Sequence, residues 1–561
     1  MRGPAEIDPT SGYPIARGLS RRELIQLIAA GAGATILAPL AATTAFAKQD
    51  ASPAAGTPGG EVKMLIRKPV TLNPYFSTSG NEQQIERLIF GALVKMTDKL
   101  DPIPDLAEKV DVTPDATTYT FTLREGLVFN DGVPLTSRDV AFTIERAVDK
   151  RVGSLWRGRL LAITGAEAYG DQQADSISGV ATPDERTISL TLDKPDASFL
   201  ITLGDYSGLG ILPEHIHKDV VPEDWANILF LEPSVGAGAY NFTKYEVDQY
   251  IELTRSETYG GAKGLLDRIL LSIRTPDVAL AEIERGDLDI MGLPIEEAEG
   301  ARALPNITVQ SVQSPSMTHL VVNNTAPYLA DKRIRQAMMY AMDRQGIVEA
   351  ILQGEGEVVN APIFGPEWMG IPEGLNTYDY STDKAKEVLA DLGWDANQKI
   401  TALVVGIANE PTSPIVQDQF KAAGINFELL EVEITELIRR ISADPPEFDV
   451  FFNGGDTYRA DPNISALFYD TANLAPAGTN FSHYSNPTLD DLYVQGRGTT
   501  DLAERKRIYT EAAKILNEDV PNIFQWSPNS LFAVNNRVQN FKGPGYVDNK
   551  LWNAEEWWVT S

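Results

Sequence analysis

The chain has no cysteine at any of its 561 positions. Disulfides, thiol nucleophiles, thiolate zinc sites, iron–sulfur clusters and a lipid-modified N-terminal cysteine are thereby excluded. Histidine is nearly as scarce, with His215, His217, His319 and His483 the whole supply. His215 and His217 lie two apart, on roughly opposite sides of a strand or helix turn, so no metal or other cofactor is expected. Positive charge is short as well: 48 Lys and Arg face 78 Asp and Glu, a formal charge of -30. Nucleic acids and anionic membrane surfaces both demand cations along an extended face, so neither is an expected partner. G-x-S-x-G, H-E-x-x-H and Walker-type loops are missing too, so no motif supports an enzymatic activity.

What remains is an acidic, well-filled globular chain. Apolar residues make up 43% and charged residues 22%, which rules out long disorder and allows about three to four domain-sized units. Ser20-Arg21-Arg22 precedes an uncharged run from Leu24 to Ala47, which ends in the small-x-small sequence Ala45-Phe46-Ala47. Residues 1–47 therefore read as a twin-arginine-type signal peptide, with an uncleaved anchor as the alternative. Residues 48–60, rich in Pro, Gly and small residues, form a flexible leader. Cleavage removes four basic and three acidic residues, so the mature charge is -30 - 1 = -31. The mature protein is expected outside the cytoplasm, in a periplasm or at the cell surface.

Glu61–Ile66 alternates like a strand, and Ile85, Leu88, Ile89 and Ala92 form the stripe of an amphipathic helix. Tyr119–Leu123 alternates again, Asn130-Asp131-Gly132 turns, and Thr136 with Asp139 caps a helix through Val140, Ile144, Ala147 and Val148. Asp277 and Gly286 bracket a short helix before a strand at Leu288–Ile290. Asp331 opens a longer helix with Ile334, Ala337, Met338, Ala341 and Met342 inward. Such intermixing predicts an α/β or α+β architecture. The acidic pairs Glu296-Glu297 and Glu555-Glu556 read as solvated faces.

Several of these segments, in this order, resemble the family 5 extracellular solute-binding proteins of ATP-binding cassette (ABC) importers. The strongest block is Tyr119 to Arg146, YTFTLREGLVFNDGVPLTSRDVAFTIER, followed by Gly236-Ala237-Gly238-Ala239-Tyr240, Gly286–Ile290, Val322–Asn324, Arg333–Ala337, Ala341–Asp343 and Asp383–Trp394. The resemblance covers about residues 61–558. It implies a two-lobed periplasmic-binding-protein fold of type II, with an extra subdomain and a hinge of two crossing strands. Lobe one would hold 61–312 and 524–561, with the subdomain at about 98–200, and lobe two 313–523. It also implies capture of an organic solute between the lobes of a monomer, and delivery to ABC permease subunits.

Phe76, Ser77 and Thr78 follow Asn73-Pro74, a loop that faces the cleft in the family. Asn453, Asp456 and Tyr458 lie in Phe452–Pro462. Peptide-binding members carry, three residues before their Asp-Pro pair, an aspartate that holds the peptide ammonium, a charge-assisted contact. Here that position is Tyr458, the nearest acid is Asp456, and the family tryptophan is missing, while Asp461 before Pro462 reads as a turn residue. Trp368 and Trp526 complete the candidates, as indoles that stack on sugars or enclose peptide side chains. Peptide is the first expected cargo and oligosaccharide the second. A secreted glycoside hydrolase is the reading from another class and needs two carboxylates converging across a cleft. A structural or adhesive surface protein is a third.

Overall fold

The computed structural model describes residues 58–204, 208–261, 263–363, 366–406, 410–457, 461–545 and 549–560. The expected signal segment, residues 1–47, and most of the expected leader lie outside the described residues.

Strand β1 (Glu61–Ile66) alternates half-buried and buried residues, as its sequence pattern requires. Helix α1 (Gly80–Phe90) places Ile85, Leu88 and Ile89 in the core, and its polar first half is buried as well. It needs close neighbours. A Cβ on Gly236 or Gly238 would sit 2.1 Å from the carbonyl oxygens of Ile89 and Leu88, so only glycine lets that segment run against the helix. Helix α2 (Ser137–Val148) begins with the expected capping box: Thr136 Oγ1 accepts from Arg138 N, and Asp139 accepts from Thr136 N at 2.9 Å. A cap of this kind is worth about 1 kcal/mol. Gly132 takes a positive φ of 88° in the turn before it. A small antiparallel sheet, Ala107–Val112, Thr118–Leu123, Thr187–Thr191 and Val180–Ala181 in spatial order, packs with α2 into the first core.

Strands β2 (Ile307–Gln313) and β3 (Ser316–Val322) are separated by only Ser314 and Pro315. Strands β4 (Gly356–Val358) and β5 (Val450–Thr457) follow, then β6 (Asn522–Phe524) and β7 (Trp526–Asn535), with Gln525 alone between them. The largest sheet runs β2, β7, Ile290–Gly292, β1, Arg268–Ile273, Tyr250–Arg255, Tyr240–Glu246, and β4 pairs with β7. A second sheet runs Asn426–Glu431, Lys399–Val404, β5, β3, β6. The chain steps directly from one sheet to the other at two short joints, from β2 to β3 and from β6 to β7, and β4, between β3 and β5 in the chain, reaches back to pair with β7. Each sheet has its own core. The first gathers residues from Val62 to Leu271 with Ile290 and the segment Phe532 to Trp557, and the second runs from Met317 to Trp526.

Helix Lys332–Ala341 is N-capped by Asp331 and buries Ile334, Ala337 and Met338, as the spacing predicts. Three details depart from the sequence reading. The strand expected at Leu288–Ile290 is Ile290–Gly292, and the Asp277 helix starts at Pro276 behind the N-cap Thr275. Proline fits the first helical turn, where its missing N–H costs nothing. Glu555 is not on a solvated face. It is 4% exposed and pairs with Arg87 at 2.6 Å, which a buried carboxylate needs.

Candidate functional site

The Asn-Pro loop is held from below. Asn73 Nδ2 donates to the carbonyls of Trp225 and Ile228 at 3.0 and 2.8 Å, and its Oδ1 accepts from Tyr75 N. Tyr75 is buried, with its hydroxyl donating to Thr143 O of α2 at 3.0 Å. The next three residues divide. Phe76 is half-buried against the first core, Thr78 is exposed, and Ser77 turns inward, 5% exposed. Ser77 Oγ donates to Glu86 Oε2 on α1 at 3.0 Å. Burial pushes the Glu86 carboxyl up to about 8, against the Ser77 hydrogen bond that favours its charged form.

The second group gathers where the chain passes between the sheets. β5 runs antiparallel to β3, with His319 opposite Asn453 and Met317 opposite Asp456, and an irregularity lies between the two pairs. Such a bulge bends the strand. Asn453 is half-buried. Trp526 is the first residue of β7, pairs with Val358 of β4 and is 3% exposed within the second core. Its carbonyl accepts from Thr318 Oγ1 at 3.2 Å. The structure therefore brings Asn453, Asp456 and Trp526 to one end of the second sheet, beside both passages. Tyr458 lies outside the described residues.

Those passages are braced by Glu355, next to β4. Its carboxylate accepts from Ser311 Oγ on β2 at 2.5 Å and from Asn529 Nδ2 on β7 at 3.1 Å, and it pairs with Arg302. These bonds hold the carboxyl below the usual range, against its burial.

Trp368 is half-buried, and the guanidinium of Arg505 lies 5.3 Å from its ring centre. The same guanidinium reaches Asp461 Oδ1 at 2.8 Å. Asp461 does make the turn expected of it, accepting from Asn463 N at 2.8 Å. Its partnership with Arg505 and the burial of Glu86 under Ser77 are the two features of this region that sequence reasoning missed. Each is a contact of a charged side chain with nothing in local spacing to announce it.

His217 packs against Trp225 and Phe230, and His215 Nε2 is 2.8 Å from Asp131. Among the described residues no helix is long and apolar enough to cross a membrane.

Comparison with known proteins agrees with this architecture. A putative ABC transporter peptide-binding protein of Brucella ovis is 27% identical over 480 residues, covering 84% of this chain and 87% of the relative. The oligopeptide-binding protein AppA of Bacillus subtilis is 25% identical over 531 residues, 91% and 94% of the two chains. Among solved structures, the substrate-binding protein CtaP of Listeria monocytogenes superposes with a TM-score of 0.76 at 23% identity, over 90% of this chain and 100% of that one. AppA of Bacillus subtilis, solved with a nonapeptide, gives 0.71 at 24% identity, again over 90% and 100%. The α/β fold is thus that of the periplasmic binding proteins. Residues 101–475 match the model of "Bacterial extracellular solute-binding proteins, family 5 Middle", two-thirds of the sequence, and the chain belongs to that family.

Proposed function

We propose that the mature protein captures a peptide in a cleft between two lobes and delivers it to the permease of an ABC importer. The lobes are 61–312 with 524–561, including a subdomain at about 98–200, and 313–523, hinged where β2 meets β3 and β6 meets β7. The observation that carries this reading is the match across nearly the whole chain to relatives whose names state peptide binding. The chain acts as a monomeric receptor, and no bond in the cargo is made or broken. Residues 1–47 direct export by the twin-arginine route.

Phe76, Thr78, Trp368, Asn453, Asp456, Tyr458 and Trp526 form the cleft wall in this reading, and Ser77 supports it from the Glu86 side. A buried ammonium without a partner carboxylate costs several kcal/mol. Asp456 therefore supplies that charge for a peptide, or the cargo has an uncharged end there, as an oligosaccharide does.

A thermal-shift screen on wild type and Asp456→Asn decides between them, with di- to pentapeptides beside cello-, xylo- and manno-oligosaccharides. A ligand at 100 times its Kd stabilises by about 2.7 kcal/mol, a shift of a few degrees. Peptide stabilisation that is lost in Asp456→Asn is the expected result. Stabilisation by sugars alone, undiminished in the variant, overturns the peptide reading.

A further inference from the structure

The segments flanking the small four-stranded sheet meet the later half of the chain along a second seam. Helix Pro487–Arg497 ends there, and the last carbonyls of a helix have no partner within it. Arg497 O finds one 300 positions back in the chain, accepting from Ala197 N at 2.9 Å. Both sides of this contact are held still. Asp196 Oδ1 accepts from Ser198 N at 3.0 Å and from its hydroxyl at 2.5 Å, which fixes the Asp196–Ser198 turn. On the other side Arg505 Nε donates to Gly496 O at 3.0 Å while its other end is bound to Asp461, which fixes the helix end.

Two further contacts lie on the same seam. Thr500 Oγ1 reaches Pro114 O at 3.5 Å, and Lys99 Nζ pairs with Glu367 Oε2 at 2.7 Å. Asp196 meets charges of both signs there: burial raises its carboxyl, the like charge of Asp461 adds to the rise, and Arg497 opposes it. Lys99, Pro114, Asp196 and Ala197 belong to the subdomain side, and Glu367, Arg497 and Thr500 to the other. Nothing in this set belongs to the candidate cargo wall.

We propose that the Asp196–Ser198 turn and the C-terminal end of helix Pro487–Arg497 form a latch that parts when the cleft opens and re-forms when it closes. This rests on the two-lobe reading above. The latch sets how long cargo is held without touching it, because whatever stabilises the closed form slows escape. One main-chain hydrogen bond, one long hydroxyl contact and one exposed ion pair are together weak enough to break on each cycle.

The absence of native cysteine makes the test clean. In full-length mature protein, Ala197→Cys with Arg497→Cys puts the only two thiols on the two residues joined by that main-chain hydrogen bond. Oxidation is expected to link them within the chain, to narrow the solution-scattering profile to the smaller radius of gyration, and to slow release of a bound fluorescein-labelled tetrapeptide pool at least tenfold. Reduction restores the original rate. A second pair of variants avoids the cross-link: Ala197→Pro removes the N–H donor and Ala197→Gly keeps it. Only the proline variant is expected to show a larger radius and faster release. A pair that does not cross-link, a cross-linked protein that releases peptide at the reduced rate, or proline and glycine variants that behave alike overturns the latch. Wild type that binds no peptide overturns the cargo reading instead, and the cross-link and scattering results stand apart from that outcome.

Discussion

Arg505 and Asp461 form an ion pair of 2.8 Å in which neither side chain is more than 5% exposed. Taking two charges out of water is costly, and their mutual attraction and added hydrogen bonds offset the cost only while both are present. Asp461→Asn keeps the turn acceptor for Asn463 N but leaves the guanidinium uncompensated. A loss of about 3–5 kcal/mol is expected, read as a lower urea midpoint. Arg505→Met in the same background should recover part of it. A single variant as stable as wild type rejects this account.

Glu86 gives a pH dependence of the opposite kind to ordinary carboxylates. Its folded pKa is raised, to about 8 from about 4.5, so the folded state binds a proton that the unfolded state has released. Stability is then lost as pH rises from 4.5 through 8, by on the order of 5 kcal/mol at most. Glu86→Gln retains an acceptor for the Ser77 hydroxyl and removes the titration. At pH 9 the variant should be more stable than wild type, with the gap closing toward pH 5. Parallel pH profiles of urea midpoints would show that the carboxyl is not strained.

His217 acts at the other end of the scale. Burial, and secondarily the charge of His215, lowers it to about 4 from 6.5. The unfolded chain binds the proton first, so the contribution is full above pH 6.5 and is lost as pH falls toward 4. Its size is about 3 kcal/mol. His217→Gln should flatten the fall in melting temperature between pH 6.5 and 4 relative to wild type. An unchanged slope would count against it.

Export is checked in cells. Arg21→Lys with Arg22→Lys should leave the precursor in the cytoplasm, detected by fractionation and immunoblot. Normal export of the double variant rejects the twin-arginine route.

Local signals were legible and distant ones were not. Thr136 and Asp139 announce their capping box because both partners lie within four residues, and Asp331 marks its helix for the same reason. The stripe of α1 shows which residues face the core, yet not that Glu82, Gln84, Glu86 and Arg87 are buried beside them. Arg87 is met there by Glu555 from 468 positions away, and Gln84 by the donating amide of Leu551. Periodicity carries no record of such partners. For the candidate site, the Asn73-Pro74 loop could be found from its neighbours in sequence. Opposite facings of Ser77 and Thr78 could not, because both are small hydroxyl residues in a turn and the choice is made by Glu86. Trp526 reads from sequence as an indole at a passage between lobes, and its burial follows from the packing of β4 and the second core around it.

The placement of β7 in the largest sheet, between β2 and Ile290–Gly292, has a consequence for biosynthesis. The second core draws on one continuous stretch, Met317 to Trp526, whereas the first draws on both ends of the chain. During translation the later-made core can therefore condense before the earlier-made one. Until the final segment emerges, Ile290–Gly292 and β2 each present an unpaired backbone edge, and Arg87 waits for Glu555. A chain stalled before β7 would accordingly leave β2 and Ile290–Gly292 without the strand that joins them, open to association.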